Sequence, residues 1–435
     1  MTPQEFLLQE CKNVAALLEQ TLRQEYGLDG SQDFYDECVT RLKFIDEQIS
    51  SAVDASALGK WGFELNELSK LICRIERSSL GEYSWPFVDE LKKIANAICI
   101  ESSASGKPSK IYVLADGGLD AYRIYPESKR PSHRNRLLLT IVFPKSLKHF
   151  VLLHSILGHE LGHAIWRCSK HENTIRKDVL AKFVGIPGLF SDEDSTLAHV
   201  FSPKAPSDVK IQLSIMATHG FDRNAFFKWA NWESWVEEIL CDFIGLVSFG
   251  PSFVAAQCNL LPSINPNTHG FGPNHPPPAW RINLILRGAT ILGFDTLPPQ
   301  GHPSRPKVQA FWTKMNASKM TDPWFDVLND TQLRDALDGV SALLQQHPPA
   351  GYTPPDMDVL WELIHSVELG VPPVGFELTE RGRPKCKHRD FREILYAGWV
   401  ASVQTDAPPF ELVNRLCEHA IMQQRAIDIQ LKVKN

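Results

Sequence analysis

The run His154-Ser155-Ile156-Leu157-Gly158-His159-Glu160-Leu161-Gly162-His163 contains an H-E-x-x-H pattern. Val151, Leu152, Leu153, Ile156, Leu157, Leu161, Ala164, Ile165 and Trp166 surround it with apolar side chains, which predicts a buried helix. On a helix, residues four apart project from one face, about one turn from each other. His159 and His163 can therefore offer two imidazoles to one zinc ion. Glu160 falls beside that ion, where it can take a proton from a bound water. The pattern points to a metal-dependent hydrolase. The plainer alternative is a helix with two histidines packed in a polar groove. Buried histidines and acids need partners, however, and a metal supplies one. Gly158 and Gly162 cost helix stability relative to alanine, but they let another element or a substrate approach closely.

A catalytic zinc usually has three protein ligands and one open position. The best source of a third ligand is Asn231-Trp232-Glu233-Ser234-Trp235-Val236-Glu237-Glu238-Ile239-Leu240-Cys241-Asp242-Phe243-Ile244-Gly245. Glu238 and Asp242 share a helical face. Glu238 is the expected ligand, with Glu237 its main rival. Asp242 is placed to orient a ligand histidine through its free ring nitrogen, which fixes the tautomer and raises ligand basicity. Glu233 and Glu237 also fit a solvated acidic face. Asp242, between Cys241 and Phe243, does not.

HELGH followed by E-x-x-x-D on a second helix resembles the gluzincin metallopeptidases. Asn274-His275-Pro276-Pro277-Pro278-Ala279-Trp280-Arg281-Ile282 is similar to the H-P-x-x-x-x-R-I tail of their CAAX-prenyl-protease-like branch. The resemblance spans roughly residues 137–290. It implies His159, His163 and Glu238 as zinc ligands, Glu160 as the base and Asp242 as the orienting acid. His275 and Arg281 would lie near the site; in the mechanism we expect, a donor such as His275 stabilises the oxyanion. It also implies that a sheet edge near the HExxH helix holds an extended peptide. The best-known members of that branch are integral membrane proteins. Here the apolar stretch from Ile244 to Leu261 is interrupted by Gly245, Gly250, Pro251, Gln257 and Asn259, and no membrane span is expected.

The chain has 435 residues, 43% hydrophobic and 22% charged, enough for two or three domains. A formal net charge of -6 gives no basic field for nucleic acid. Thr2, Pro3 and Glu5 read as the capped start of a helix rather than a leader. Nine cysteines, odd in number and scattered, read as reduced core residues of a cytoplasmic protein. Cys386-Lys387-His388 lacks nearby metal-binding partners and reads as a loop.

The expected fold is α+β and mainly helical: a zincin-like core with a small sheet beside the HExxH helix, flanked by N- and C-terminal helical regions. Residues 1–105 form the N-terminal helical region, with Phe34, Cys38, Leu42, Ile45 and Ile49 on one stripe and Phe87, Leu91, Ile94 and Ile98 on another. Residues 106–295 form the core, with strands at Ile111–Leu114, Tyr122–Tyr125 and Leu137–Phe143. The last of these is either the peptide-binding edge or a buried core strand. Residues 167–230 are an insertion or lid, in which His199 and His219 read as loop histidines rather than ligands. After a Pro-rich linker, Leu297 to Pro306, residues 296–435 are helical again. The sum is a zinc metallopeptidase acting on a protein or peptide substrate, with a possible protein partner on the helical flanks. The alternatives are a zinc-binding regulatory or sensor protein with little or very narrow proteolysis, and zinc hydrolysis of a non-peptide amide or ester.

Overall fold

The computed structural model describes residues 2–22, 31–79, 87–95 apart from 89 and 92, 111–116, 122–126, 137–167 apart from 143, 232–264, 272–319 apart from 273, 330–345, 351–378, 384–386 and 389–433. The protein is mainly helical. It divides into two compact units, Met1–Lys92 with Lys110–Lys148, and Lys93–Ser109 with His149–Asn435. Apart from Arg167, the 167–230 insertion, with His199 and His219, lies outside the described residues.

In the first unit, α1 (Pro3–Leu22), α2 (Ser31–Ser50) and α3 (Ala55–Ser79) pack on one another. The start of α1 is the reciprocal cap its sequence predicts. Glu5 N donates to Thr2 Oγ1 at 3.2 Å, and Thr2 N donates to Glu5 Oε2 at 2.7 Å. Cys38, Leu42, Ile45 and Ile49, the predicted stripe of α2, join Val14, Leu18, Leu65, Leu68 and Ile72 in one core. The same unit holds β1 (Ile111–Asp116), β2 (Arg123–Pro126) and β3 (Leu137–Val142). Their order is β1-β3-β2, with β1 parallel and β2 antiparallel to β3. This decides between the two readings of the third strand in favour of the core strand. β3 is a central strand with both ladders used, so its backbone has no edge to offer a peptide, and its Leu137–Val142 run suits that central place. The strands also group with the N-terminal helices, not with the HExxH helix as the expected domain boundary near residue 105 had it.

In the second unit, a 3-10 segment (Val151–Ile156) leads directly into α4 (Leu157–Arg167). α4 lies along α5 (Trp232–Phe249), the helix at the centre of this unit. From Trp235 to Phe249 every residue of α5 except Glu237 is buried, as expected of a helix apolar on nearly all sides. Gly250, at φ 57, ends it, and Pro251 opens α6 (Pro251–Ile264). The apolar stretch 244–261 is thus two helices with a turn between them. Among the described residues, no helix is long and apolar enough to cross a membrane.

Around this centre stand α7 (Pro278–Ile291), α8 (Arg305–Asn316), α9 (Asp330–Gln345), α10 (Met357–Glu368), α11 (Phe391–Ser402) and α12 (Phe410–Val433). The sequence spacing puts Val359, Leu360, Leu363, Ile364 and Val367 on one helical stripe; in α10 all of these but the half-buried Val359 are buried, and Gly370 at φ 73 follows its end. A hairpin of β4 (Phe376–Leu378) and β5 (Pro384–Cys386) stands where a loop was expected around Cys386.

Candidate metal centre

Two glycines let α4 and α5 meet. A Cβ on Gly162 would stand 2.7 Å from the Cα of Cys241, and one on Gly158 would stand 2.9 Å from the Cα of Gly245. Only hydrogen fits there, so the backbones touch. The helices run antiparallel along this contact: His159 meets Asp242, while His163, one turn on, meets Glu237 and Glu238. The sequence spacing of four on each helix therefore becomes one shared layer of side chains.

Each imidazole is fixed at Nδ1. His159 Nδ1 lies 2.8 Å from Asp242 Oδ1, and His163 Nδ1 lies 2.8 Å from Glu237 Oε1. With those protons donated outward, both Nε2 atoms turn inward, 3.1 Å apart. Glu238 closes the triangle, with Oε2 at 3.4 Å from His159 Nε2 and Oε1 at 3.2 Å from His163 Nε2. One donor atom from each of the three residues falls within 4.8 Å of the others. This arrangement fits a divalent ion on its own chemistry. Neutral, the imidazoles aim two lone pairs and a carboxylate at one point. Protonated, they aim two N–H groups at each other. A cation at that point satisfies all three groups at once.

Arg281 of α7 supplies positive charge from the side. Its Nε and Nη2 donate to Asp242 Oδ2 and Oδ1 at 2.7 Å each, and its Nη1 lies 3.0 Å from Glu238 Oε2. His159, His163, Glu238, Asp242 and Arg281 are all buried. Burial would raise the Glu238 and Asp242 carboxyls, but Arg281 and the imidazoles hold both well below the usual carboxylate range. Burial and Arg281 pull the metal-free His159 down, yet Asp242 and Glu238 outweigh them and push it up to about 9. Burial likewise opposes His163, and Glu237 with Glu238 pushes it up to about 9.

Glu160 is half-buried on α4, and its charge acts on His163. His275 stands at the mouth. Its side chain is 68% exposed, with Nε2 3.6 Å from Glu238 Oε1. The segment carrying it is pinned from α5, where Trp235 Nε1 donates to the Gly272 carbonyl at 3.1 Å; Gly272 N in turn donates to His275 O at 3.0 Å. The structure thus brings together His159, His163, Glu238, Asp242, Arg281 and His275. The residue the sequence reading undervalued is Glu237, read as a rival ligand or solvated acid and found on the outer nitrogen of His163. Its signal was partial: once α4 and α5 are known to run antiparallel, the acid for His163 must lie before Asp242 on α5, a place that both Glu238 and Glu237 fit.

Comparison with protein-family models, curated proteins and solved structures finds no match for this chain.

Proposed function

We propose that this chain is a zinc-dependent metallopeptidase of the gluzincin type, built on a zincin-like core and acting on a protein or peptide substrate. The observation that carries the reading is the inward turn of the His159 and His163 Nε2 atoms onto the Glu238 carboxylate, with each ring held from outside by an acid. The H-E-x-x-H, E-x-x-x-D and H-P-x-x-x-x-R-I motifs that resemble gluzincins contribute every member of this cluster except Glu237.

His159, His163 and Glu238 would hold zinc, which when bound acts as a Lewis acid toward water and the substrate carbonyl. Glu160 is assigned to the proton: its carboxylate takes one from the attacking water and passes it to the leaving amine. His275, exposed at the mouth, is positioned to donate an N–H to the developing oxyanion. Asp242 and Arg281 keep His159 and Glu238 in place. Cys11, Cys38, Cys73, Cys241, Cys258 and Cys417 are free, which suits the reducing cytoplasm where we place the protein. The helical flanks are surfaces for a partner.

The deep burial of all three ligands favours a second reading, a zinc-binding regulatory or sensor module with little or very narrow proteolysis. Glu160→Gln separates the two. It should fold, retain zinc and lose the chelator-sensitive peptide cleavage of wild type, since the amide cannot accept a proton at neutral pH. A variant that cleaves as well as wild type refutes the role of Glu160. A zinc-loaded wild type that cleaves nothing across a diverse peptide library favours the regulatory module.

A further inference from the structure

We infer that Glu237 is a positioning residue of the metal centre, holding His163 with Nε2 turned to the ion as Asp242 holds His159. The inference rests on the metal reading proposed above. Glu237 is the one residue of α5 between Trp235 and Phe249 that is not fully buried, yet its side chain is only 16% exposed. Its Oε1 sits 2.8 Å from His163 Nδ1, the same separation that joins Asp242 to His159. Adjacent residues on a helix diverge by about 100°, so Glu237 and Glu238 grip one ring from its two sides. Glu238 meets Nε2 and Glu237 meets Nδ1. From that position Glu237 cannot share the ion with Nε2 of the ring it holds. The centre therefore carries a carboxylate behind each ligand imidazole. Such partners fix the tautomer and make the ring a stronger donor, and their removal usually costs metal affinity about 10–100-fold.

The test is zinc affinity of the full chain, measured by competition with a chromophoric chelator, together with the visible spectrum of the Co²⁺-loaded protein. Glu237→Ala should weaken zinc binding by about 10–100-fold and alter the Co²⁺ bands. Glu237→Gln should recover most of the affinity and the wild-type spectrum, because an amide oxygen still accepts the Nδ1–H. Glu237→Asp keeps the charge but loses a methylene of reach, and should behave like Glu237→Ala. It also serves where the alanine variant folds poorly. The inference is overturned if Glu237→Ala and Glu237→Asp bind within about threefold of wild type, a change well below that expected for an orienting acid. It is equally overturned if Glu237→Gln loses as much as Glu237→Ala, since the charge and not the hydrogen bond would then matter. A wild type that binds no zinc fails the metal reading itself, which is a different result from wild-type binding with indifferent variants.

Discussion

Gly162→Ala tests the helix contact on which the whole centre depends. The added Cβ would stand 2.7 Å from the Cα of Cys241 and 2.9 Å from its Cβ and Sγ, where even a tight contact needs 3.0–3.4 Å. The nearest atom is backbone, so α4 and α5 must separate by about 0.5 Å or more. Overpacking of this kind costs about 1–3 kcal/mol, and replacing glycine in a helix returns about 1 kcal/mol. The metal-free protein should therefore be destabilised by up to about 2 kcal/mol. The larger effect falls on the metal. Gly162 is next to His163 and three residues from His159, while Cys241 is next to Asp242 and three residues from Glu238. Parting the helices stretches both 2.8 Å bonds that hold the imidazoles, and zinc affinity should fall at least about tenfold. Gly59→Ala in α3 is the matched control, because nothing lies within 4 Å of its Cβ. It should stabilise the protein by about 0.5–1 kcal/mol. Urea denaturation of the metal-free proteins and chelator competition read both quantities. A Gly162→Ala protein as stable as Gly59→Ala, with unchanged zinc affinity, would refute the close approach.

Arg281→Met should leave Asp242 and Glu238 buried without their guanidinium, destabilising the metal-free protein by about 3–5 kcal/mol; zinc should then raise the melting temperature more in the variant than in wild type, and an equal rise would contradict the charge balance. Zinc uptake should also release protons. With His159 and His163 both pushed up to about 9, the metal-free rings hold protons at pH 7.5 that zinc must displace, so calorimetry in buffers of different ionisation enthalpy should find between about one and two protons per zinc, against about 0.2 for two ordinary histidines. The sign follows from the direction of the shift: apparent zinc affinity rises with pH up to about 9, while the stability the charged rings give the metal-free fold is present below 6.5 and lost through about 9. A pH-independent affinity between 6.5 and 8 would contradict both.

What could be read from the sequence was local. Four-residue spacings on α4 and α5 need no knowledge of the fold, because a helix fixes which side chains share a face. The same is true of the Thr2–Glu5 cap and the α10 stripe. Which helix meets which, and in what direction, is set by contacts between distant residues. For that reason Asp242 could be called an orienting acid while Glu237, five residues before it, could not be assigned to His163. The role of the two glycines was visible only as permission for something to come close; Cys241 and Gly245 show what comes. The sheet was legible only in part for the same reason. The strands were recognisable one by one, but the pairing that makes β3 central is non-local.

The central claim is that His159, His163 and Glu238 hold one metal ion. It is tested most directly by elemental analysis of the purified, zinc-reconstituted chain with X-ray absorption at the zinc edge. The account predicts one zinc per chain, with two imidazole nitrogens at about 2.0–2.1 Å and carboxylate oxygen at about 2.0–2.2 Å, and loss of that zinc in His159→Ala, His163→Ala and Glu238→Ala. A zinc-free wild type, or zinc on sulfur ligands that survives all three substitutions, would contradict it.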